Sequence, residues 1–147
     1  MNKSFLIMIL FTFVVMYLTN FTMINDPKDA IFNLNYTYMN ILMMSLMIFI
    51  DIQTMGTTYN KKLNKFIQIG SIFIAIVSFY FIRNQTFVND KEFLKSMIPH
   101  HSSGVLMAKK ILKRTKNEEI KKLAENIIKT QEQEINKMNK LNKLLKK

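Results

Sequence analysis

The side chains best suited to chemistry lie in one short stretch, Met97-Ile98-Pro99-His100-His101, which contains both histidines of the chain. On an α-helix at about 100° per residue, the two histidines flank an apolar stripe. That stripe comprises Phe93, Met97, Gly104, Ala108 and Ile111. Imidazole and thioether groups therefore occupy a face on which a surface helix ordinarily buries hydrocarbon. Either they bind a ligand, or the histidines are hydrogen-bonded interface residues and the methionines fill the core.

A second predicted helix places polar side chains opposite the histidines. A turn at Lys116-Asn117 makes the two helices antiparallel, so that residues equally distant from the turn face each other. Three facing sets result: Gly104 with Gln131, His100 and His101 with Glu134, and Met97 with Met138. The missing side chain at Gly104 leaves room for Gln131. A buried carboxylate needs a partner, and a histidine can provide one.

The chemistry open to this set of side chains is metal binding. Two imidazoles, up to three thioethers and one carboxylate form a mixed soft and borderline donor set. Thioethers select Cu(I) or Ag(I), whereas imidazole also suits Cu(II) and Zn(II). The chain has no cysteine, and the nearby hydroxyls of Ser102 and Ser103 fall off the centre of the stripe. A His–Glu pair could transfer protons, but no pattern indicates a substrate pocket, so we do not expect an enzyme.

The two helices that carry these side chains have recognisable starts. Asn89, followed three residues later by an acid, predicts an N-cap for a helix over residues 90–115. Pro99 removes a backbone hydrogen bond and should bend that helix before the histidines. Asn117, followed by two acids, caps a second helix over residues 118–145. Because a two-helix hairpin leaves its stripe exposed, dimerisation into a four-helix bundle is the simplest solution.

The apolar residues 1–83 indicate a membrane domain, and residues 84–147 indicate a helical hairpin domain. Three nearly uncharged segments predict transmembrane helices at about residues 5–24, 36–55 and 66–82. An odd number of spans places the termini on opposite sides. Lys3 and the three lysines of a predicted 56–65 loop favour a cytoplasmic N-terminus, although Lys28, Arg83 and the lysines just after it balance them. We therefore expect the hairpin domain on the extracytoplasmic side.

Two features inside the second span are further candidates. A methionine face, comprising Met39, Met43, Met44 and Met47, could relay a soft metal ion, or simply pack against lipid and other helices. Asp51 is an intramembrane carboxylate, which is a functional candidate, but it lies close enough to the end of the span to reach headgroups.

The charge of the second domain favours a solvated surface. From residue 84 onward there are 15 Lys and Arg residues against 7 Asp and Glu, and a single one of the 15 is Arg. Proteins that read phosphates favour the planar fork of arginine. An excess made of lysine therefore indicates a solvated helix face, and we expect no nucleic-acid partner.

The pattern resembles the family catalogued as domain of unknown function 305. The resemblance rests on motif positions from both helices in order: Phe93-Leu94-x-x-Met97-Ile98-Pro99-His100-His101, Met107-Ala108, and Leu123-Ala124-x-x-Ile127-Ile128-x-x-Gln131-x-x-Glu134-Ile135-x-x-Met138. It covers about residues 86–142. The three preceding spans, with Gln85-Thr86 at the entry to the domain, are similar to a small membrane-anchored subgroup.

This resemblance implies a ferritin-like fold made of helical hairpins, an extracytoplasmic location, and copper binding through methionine and histidine. The metal ligands that it implies are Met97, His100, His101, Met107 and Met138, with Gln131 and Glu134 supporting them.

The sequence thus predicts an all-α protein with three transmembrane helices and a ferritin-like hairpin that forms a homodimer or higher oligomer. We expect a bacterial, multi-pass protein of the inner or cytoplasmic membrane that holds a copper ion outside the cytoplasm. The alternative is a structural or partner-docking membrane protein with no metal role. A third reading is a basic hairpin that binds nucleic acid or anionic lipid.

Overall fold

The computed structural model describes residues 3–54 and 60–145, apart from the side chain of Ser4. This part of the chain contains helices and no strands, which confirms the all-α prediction. Its helices are α1 (Lys3–Thr19), α2 (Leu34–Thr54), α3 (Lys61–Asn84), α4 (Asp90–Leu112) and α5 (Glu118–Leu144), with a 3-10 turn at Pro27–Asp29. The chain divides into two compact units. The three-helix unit is Met1–Thr19 with Asn35–Phe87, and the hairpin unit is Asn20–Leu34 with Val88–Lys147.

Polar side chains connect the helices of the three-helix unit. The hydroxyl of Thr37 on α2 donates to Tyr17 Oη on α1 at 3.4 Å. Gln68 Nε2 on α3 donates to Gln53 Oε1 on α2 at 2.8 Å. These bonds satisfy polar groups within the unit and do not require water.

The three-helix unit is inside-out relative to a water-soluble protein. Most of its buried residues are small or polar, namely Asn40, Ser45, Asn64, Ser71, Ala75 and Ser78. Large apolar side chains form its outer surface, and among the described residues eight are each 62% exposed or more: Ile7, Leu10, Phe11, Phe66, Ile69, Phe73, Ile76 and Phe87. Small residues at contacts and large apolar residues outside are the pattern of helices that pack in lipid.

Two helices, α2 and α3, are long and apolar enough to cross a membrane by length and composition. The prediction of three spans is therefore supported only in part. α1 is apolar over Phe5–Thr19, but it ends earlier than predicted. Its 17 residues at about 1.5 Å each extend over roughly 26 Å, less than a hydrocarbon core of about 30 Å. The helix ends at Thr19, whose hydroxyl donates to the carbonyl of Met16 at 2.7 Å.

The start of α3 corrects the predicted 56–65 loop. Asn60 is the N-cap, and its side-chain oxygen accepts from the Leu63 N–H at 2.8 Å. Lys61, Lys62 and Lys65 are therefore helical residues rather than loop residues. Residues 55–59, the remainder of that loop, lie outside the described residues.

The hairpin unit contains the predicted pair of capped helices. Asn89 Oδ1 accepts from the Glu92 N–H at 3.0 Å, and Asn117 Oδ1 accepts from the Glu119 N–H at 2.8 Å. α4 continues through Pro99, which is fully buried, and it ends at Leu112. α4 and α5 pack against each other as the arms of the hairpin.

The 20–34 segment packs along α4, which the sequence analysis did not predict. Four hydrogen bonds hold it. The Leu34 N–H donates to Glu92 Oε2 at 3.2 Å, and Ser96 Oγ donates to Asn33 Oδ1 at 3.3 Å. Ser102 Oγ donates to Asp29 Oδ2 at 2.7 Å and accepts from the Asn25 N–H at 3.0 Å. The segment is thus a third layer of the hairpin unit.

The core of the hairpin unit explains why α4 buries a different face from the predicted one. The core cluster comprises Leu94, Ile98, Val105, Ile135 and Met138, with Ile31 and Met97 packed against it. Two members of the predicted stripe are largely exposed, Phe93 at 52% and Ile111 at 43%. Because α4 contacts both α5 and the 20–34 segment, its buried face is centred between those two partners.

Candidate metal centre

The predicted contact between His101 and Glu134 is present. His101 Nδ1 lies 3.0 Å from Glu134 Oε2, and the side chains are 15% and 55% exposed, respectively. The nitrogen is shielded from water, but the contact is not aligned as a hydrogen bond. The pair therefore joins a nearly buried imidazole on α4 to a carboxylate at the surface of α5. A ring N–H that donates to a carboxylate fixes the tautomer of a histidine and leaves the other nitrogen available as a ligand, and His101 and Glu134 lie within reach of such a bond.

Gly104, one helical turn after His101, lies opposite Gln131, as the predicted antiparallel register of α4 and α5 requires. A Cβ atom at Gly104 would lie 2.2 Å from Gln131 Oε1. The Gln131 amide thus occupies the space that a side chain at position 104 would take. Its Oε1 atom is buried without a hydrogen-bond partner, so Gln131 is held by packing rather than by a hydrogen bond at that atom.

Two of the implied thioether ligands lie in apolar surroundings. Met138 on α5 is 8% exposed and belongs to the core cluster, and Met97 on α4 packs against that cluster. Met97, His101 and Met138 therefore lie at the same end of the hairpin, with Glu134 one turn before Met138. This end of the hairpin thus carries three of the five implied ligands.

The other two implied ligands lie apart from this group. His100 is exposed, and its ring centroid is 6.0 Å from that of His101 with 60° between the planes. Adjacent residues on a helix diverge by about 100°, so His100 faces away from the His101 side. Met107 is 52% exposed and lines a separate apolar groove.

That groove is an uncovered face of the hairpin. It has a volume of about 340 Å³. Both helices line it, through Gly104, Met107, Ala108 and Ile111 on α4 and Ile120, Leu123, Ala124, Ile127 and Gln131 on α5. Large apolar side chains therefore face outward on the side of the hairpin that the 20–34 segment does not cover.

The donor set limits which metal the hairpin could hold. Within residues 3–54 and 60–145, no group of three His, Asp or Glu side chains has an arrangement that could hold a metal ion. A site at His101 would therefore need the thioethers of Met97 and Met138. Thioether and imidazole ligands fit Cu(I), whereas a hard cation would find too few oxygen donors.

The structure also shows buried polar residues beside His101 that sequence reasoning missed. Ser102 is completely buried; its hydroxyl donates to Asp29 Oδ2 and accepts from the Asn25 N–H at 3.0 Å. Asp29 is 3% exposed, and its other oxygen has no hydrogen-bond partner. The serine lay off the predicted stripe, and nothing in the irregular 20–34 segment indicated that it packs against α4.

An exposed ion pair stabilises the turn of the 20–34 segment. Lys28 Nζ lies 2.8 Å from Asp26 Oδ2. Hydrogen bonds from the Lys28 side chain and from its backbone N–H lower the pKa of the Asp26 carboxyl. The contribution of this pair to stability is therefore complete above the ordinary pKa of an aspartate, and it is lost as the pH falls through the lowered value.

Comparison with known proteins identifies the family. The family described as Domain of unknown function (DUF305) matches residues 82–142. An uncharacterized protein of Acanthamoeba polyphaga mimivirus is 39% identical over 141 residues, which cover 95% of this chain and 91% of that protein. The chain belongs to the domain of unknown function 305 family.

Membership confirms the predicted family and leaves its chemistry open. The family description and the name of the viral relative mention no metal. The viral relative gives no support to the expected bacterial source, and neither match supports a three-span subgroup. No solved structure matches the chain.

Proposed function

We propose that the chain is a membrane-anchored metal-binding protein that holds copper on its hairpin unit. The observation that supports this best is the contact of His101 Nδ1 with Glu134 at the end of the hairpin that also carries Met97 and Met138. The ligands would be the two thioethers and the free ring nitrogen of His101, which together suit Cu(I). The proposed role is copper handling or tolerance, without a catalysed reaction.

Each supporting residue has a separate task in this proposal. Glu134 orients the His101 ring, because a carboxylate beside one nitrogen directs the other toward a metal. His100 is exposed and is therefore available to a neighbouring copy of the chain. Met107 takes part only if a second hairpin covers the apolar groove.

Copper titration of the intact chain in detergent tests the proposal. The parent should bind one Cu(I) per chain or per pair of chains. The double variant Met97→Leu, Met138→Leu conserves volume and helix propensity, so it should remain folded. Its Cu(I) affinity should fall by more than the roughly 10–100-fold typical of losing a supporting residue. Equal Cu(I) affinity in this variant and the parent would mean that the thioethers only fill the core.

A matched control removes two methionines elsewhere. Met39→Leu, Met43→Leu changes two thioethers of α2, each 42% exposed, and should leave Cu(I) affinity unchanged. His101→Ala should weaken both Cu(I) and Cu(II). Because ligation requires neutral imidazole, copper affinity should decrease on acidification in the parent and much less in His101→Ala.

The membrane location is the second part of the proposal. It is supported by the inside-out three-helix unit and by the two helices of sufficient length. We place all three helices of that unit in the membrane, with α1 crossing a locally thinner bilayer or anchored by its ends. Lys3, Lys61, Lys62 and Lys65 would then lie on the cytoplasmic side, and the hairpin unit on the other side.

Partner docking is a second candidate function, and the apolar groove favours it. Four apolar side chains that line it are about half exposed, namely Met107, Ile111, Ile120 and Leu123. Burial of the exposed half of each would contribute roughly 1 kcal/mol, about half of the value for a whole side chain. A second copy of the hairpin would complete a four-helix bundle. Sedimentation of the intact chain in detergent would show a dimer or larger oligomer.

A further inference from the structure

A cleft of about 320 Å³ opens in the side of the three-helix unit. All three helices line it: α1 contributes Ile9, α2 contributes Met44 and Ile48, and α3 contributes Phe66 and Ile74. The volume falls in the range of about 300–1,000 Å³ that is typical of small-ligand sites. Because the cleft is apolar and opens to the side of the unit, an apolar molecule should fill it when the unit is in lipid.

Gly70 keeps this cleft open. No atom lies within 4 Å of the position that a Cβ atom would take there. The glycine is therefore not needed for a close approach between helices, and its missing side chain adds to the space. Beside it, the Ser71 hydroxyl donates to the Gln68 carbonyl at 2.9 Å and offers little to a polar ligand. The apolar lining of the cleft therefore suits an unbranched hydrocarbon chain.

Positive charge lies at the same end of the unit as the cleft. Lys61, Lys62 and Lys65 occupy the first turns of α3, directly before the lining residue Phe66, and all three are exposed. Lys3 is exposed two residues before the lining residue Phe5. Asp51 is the single acid in the sequence of this unit. An anionic headgroup above the cleft would therefore meet four lysines and one acid.

We propose that the three-helix unit binds one anionic phospholipid, with an acyl chain in the cleft at Gly70 and its phosphate at Lys61, Lys62 and Lys65. The cleft supplies the apolar surface, and the lysines supply the preference for negative charge. This inference rests on the proposed membrane location of the unit, and it is independent of copper binding.

The experiment measures lipid bound to the intact chain in nanodiscs that contain equal amounts of phosphatidylglycerol and phosphatidylcholine. After gentle extraction into detergent, native mass spectrometry should show one retained phosphatidylglycerol per chain. The chain should prefer phosphatidylglycerol over phosphatidylcholine by about fivefold or more. A fivefold preference corresponds to the attraction of one lysine to an anionic membrane surface, about 1 kcal/mol.

Two sets of variants separate the acyl-chain contact from the headgroup contact. Gly70→Phe should fill the cleft and remove the retained lipid. If that variant fails to fold, the smaller change Gly70→Leu should have the same effect. Ile69→Phe places the same aromatic ring at the neighbouring residue, which is 62% exposed, and should retain the lipid. The triple variant Lys61→Gln, Lys62→Gln, Lys65→Gln should keep one lipid but lose the preference for phosphatidylglycerol.

The control for charge is the triple variant Lys137→Gln, Lys140→Gln, Lys143→Gln on α5, which should keep the preference. The proposal is overturned if Gly70→Phe and Gly70→Leu retain as much lipid as Ile69→Phe, or if the α3 triple variant still prefers phosphatidylglycerol. It is also overturned if the parent retains no lipid or shows no preference. A parent that does not insert into the nanodiscs would instead contradict the membrane location itself.

Discussion

Gly104 and Gln131 meet across the interface of α4 and α5, and their contact fits one register of the two helices. A Cβ atom at position 104 would lie 2.2 Å from Gln131 Oε1 and 3.0 Å from Gln131 Cδ. The Gln131 amide would therefore have to move to admit even a methyl group. The inward position of the Gln131 side chain therefore depends on the glycine opposite it.

Gly104→Ala should consequently have different effects in two backgrounds. In the parent, the flexible end of the Gln131 side chain must move aside, and this cost should reduce the gain of about 1 kcal/mol in helix propensity. In Gln131→Ala no side chain has to move, and Gly104→Ala should stabilise by the full value of about 1 kcal/mol. Thermal unfolding of the four proteins in detergent measures the effect. An equal stabilisation in both backgrounds would contradict the close contact.

Ser102 is the α4 residue that makes two hydrogen bonds to the 20–34 segment. Its hydroxyl bonds both Asp29 and the Asn25 N–H, and one oxygen of Asp29 already lacks a partner. Ser102→Ala should cost about 1–3 kcal/mol, because it leaves a buried carboxylate with fewer hydrogen bonds. Hydrogen exchange at Asn25 and along residues 20–34 should accelerate.

Two variants check that assignment. Ser103→Ala changes the half-buried neighbour and should alter stability by less than about 0.5 kcal/mol. Asp29→Ala in the Ser102→Ala background should recover part of the loss, because removing both partners costs less than removing one. Unchanged exchange at Asn25 in Ser102→Ala would show that the segment is held by other contacts.

At the scale of helices, the sequence predicted what depends on local signals. The caps at Asn89 and Asn117 appear where they were expected, because an N-cap needs only its own side chain and the next turn. The pairing of His101 with Glu134 followed from the turn between α4 and α5. The buried face of α4 did not, because Ser102 is buried by a segment that is distant in sequence and has no periodicity.

The uncovered groove leads to a prediction about helix faces. Leu123 on α5 is 58% exposed in the single chain, so Leu123→Lys should leave the stability of the monomer within about 0.5 kcal/mol. It should abolish self-association in sedimentation experiments, because a dimer would bury the charge. Glu125→Lys, at another exposed position of α5, makes a larger change in charge and should leave the oligomer intact. Equal masses for the parent and Leu123→Lys would rule out this face as the interface.

At the scale of the whole molecule, the division into units leads to a topological constraint that the three predicted spans also imply. The hairpin unit contains both the 20–34 segment and residues 88–147. These two parts must therefore lie on one side of any membrane that the chain crosses. The chain between them contains α2 and α3, and two crossings return it to the same side. This argument does not depend on charge. The lysine count, which was nearly balanced around the predicted spans, bears instead on which side the two parts share.

Cysteine labelling can test this topology, because the natural chain has no cysteine. Single variants Ala30→Cys, Lys122→Cys and Lys61→Cys place thiols at exposed positions in the 20–34 segment, in α5 and at the start of α3. A membrane-impermeant thiol reagent added outside sealed cells should label Ala30→Cys and Lys122→Cys, but Lys61→Cys only after permeabilisation. Labelling of Ala30→Cys and Lys122→Cys from opposite sides would contradict the hairpin unit itself. Labelling of both only after permeabilisation would keep the unit and reverse the orientation, which would place the copper ligands in the cytoplasm.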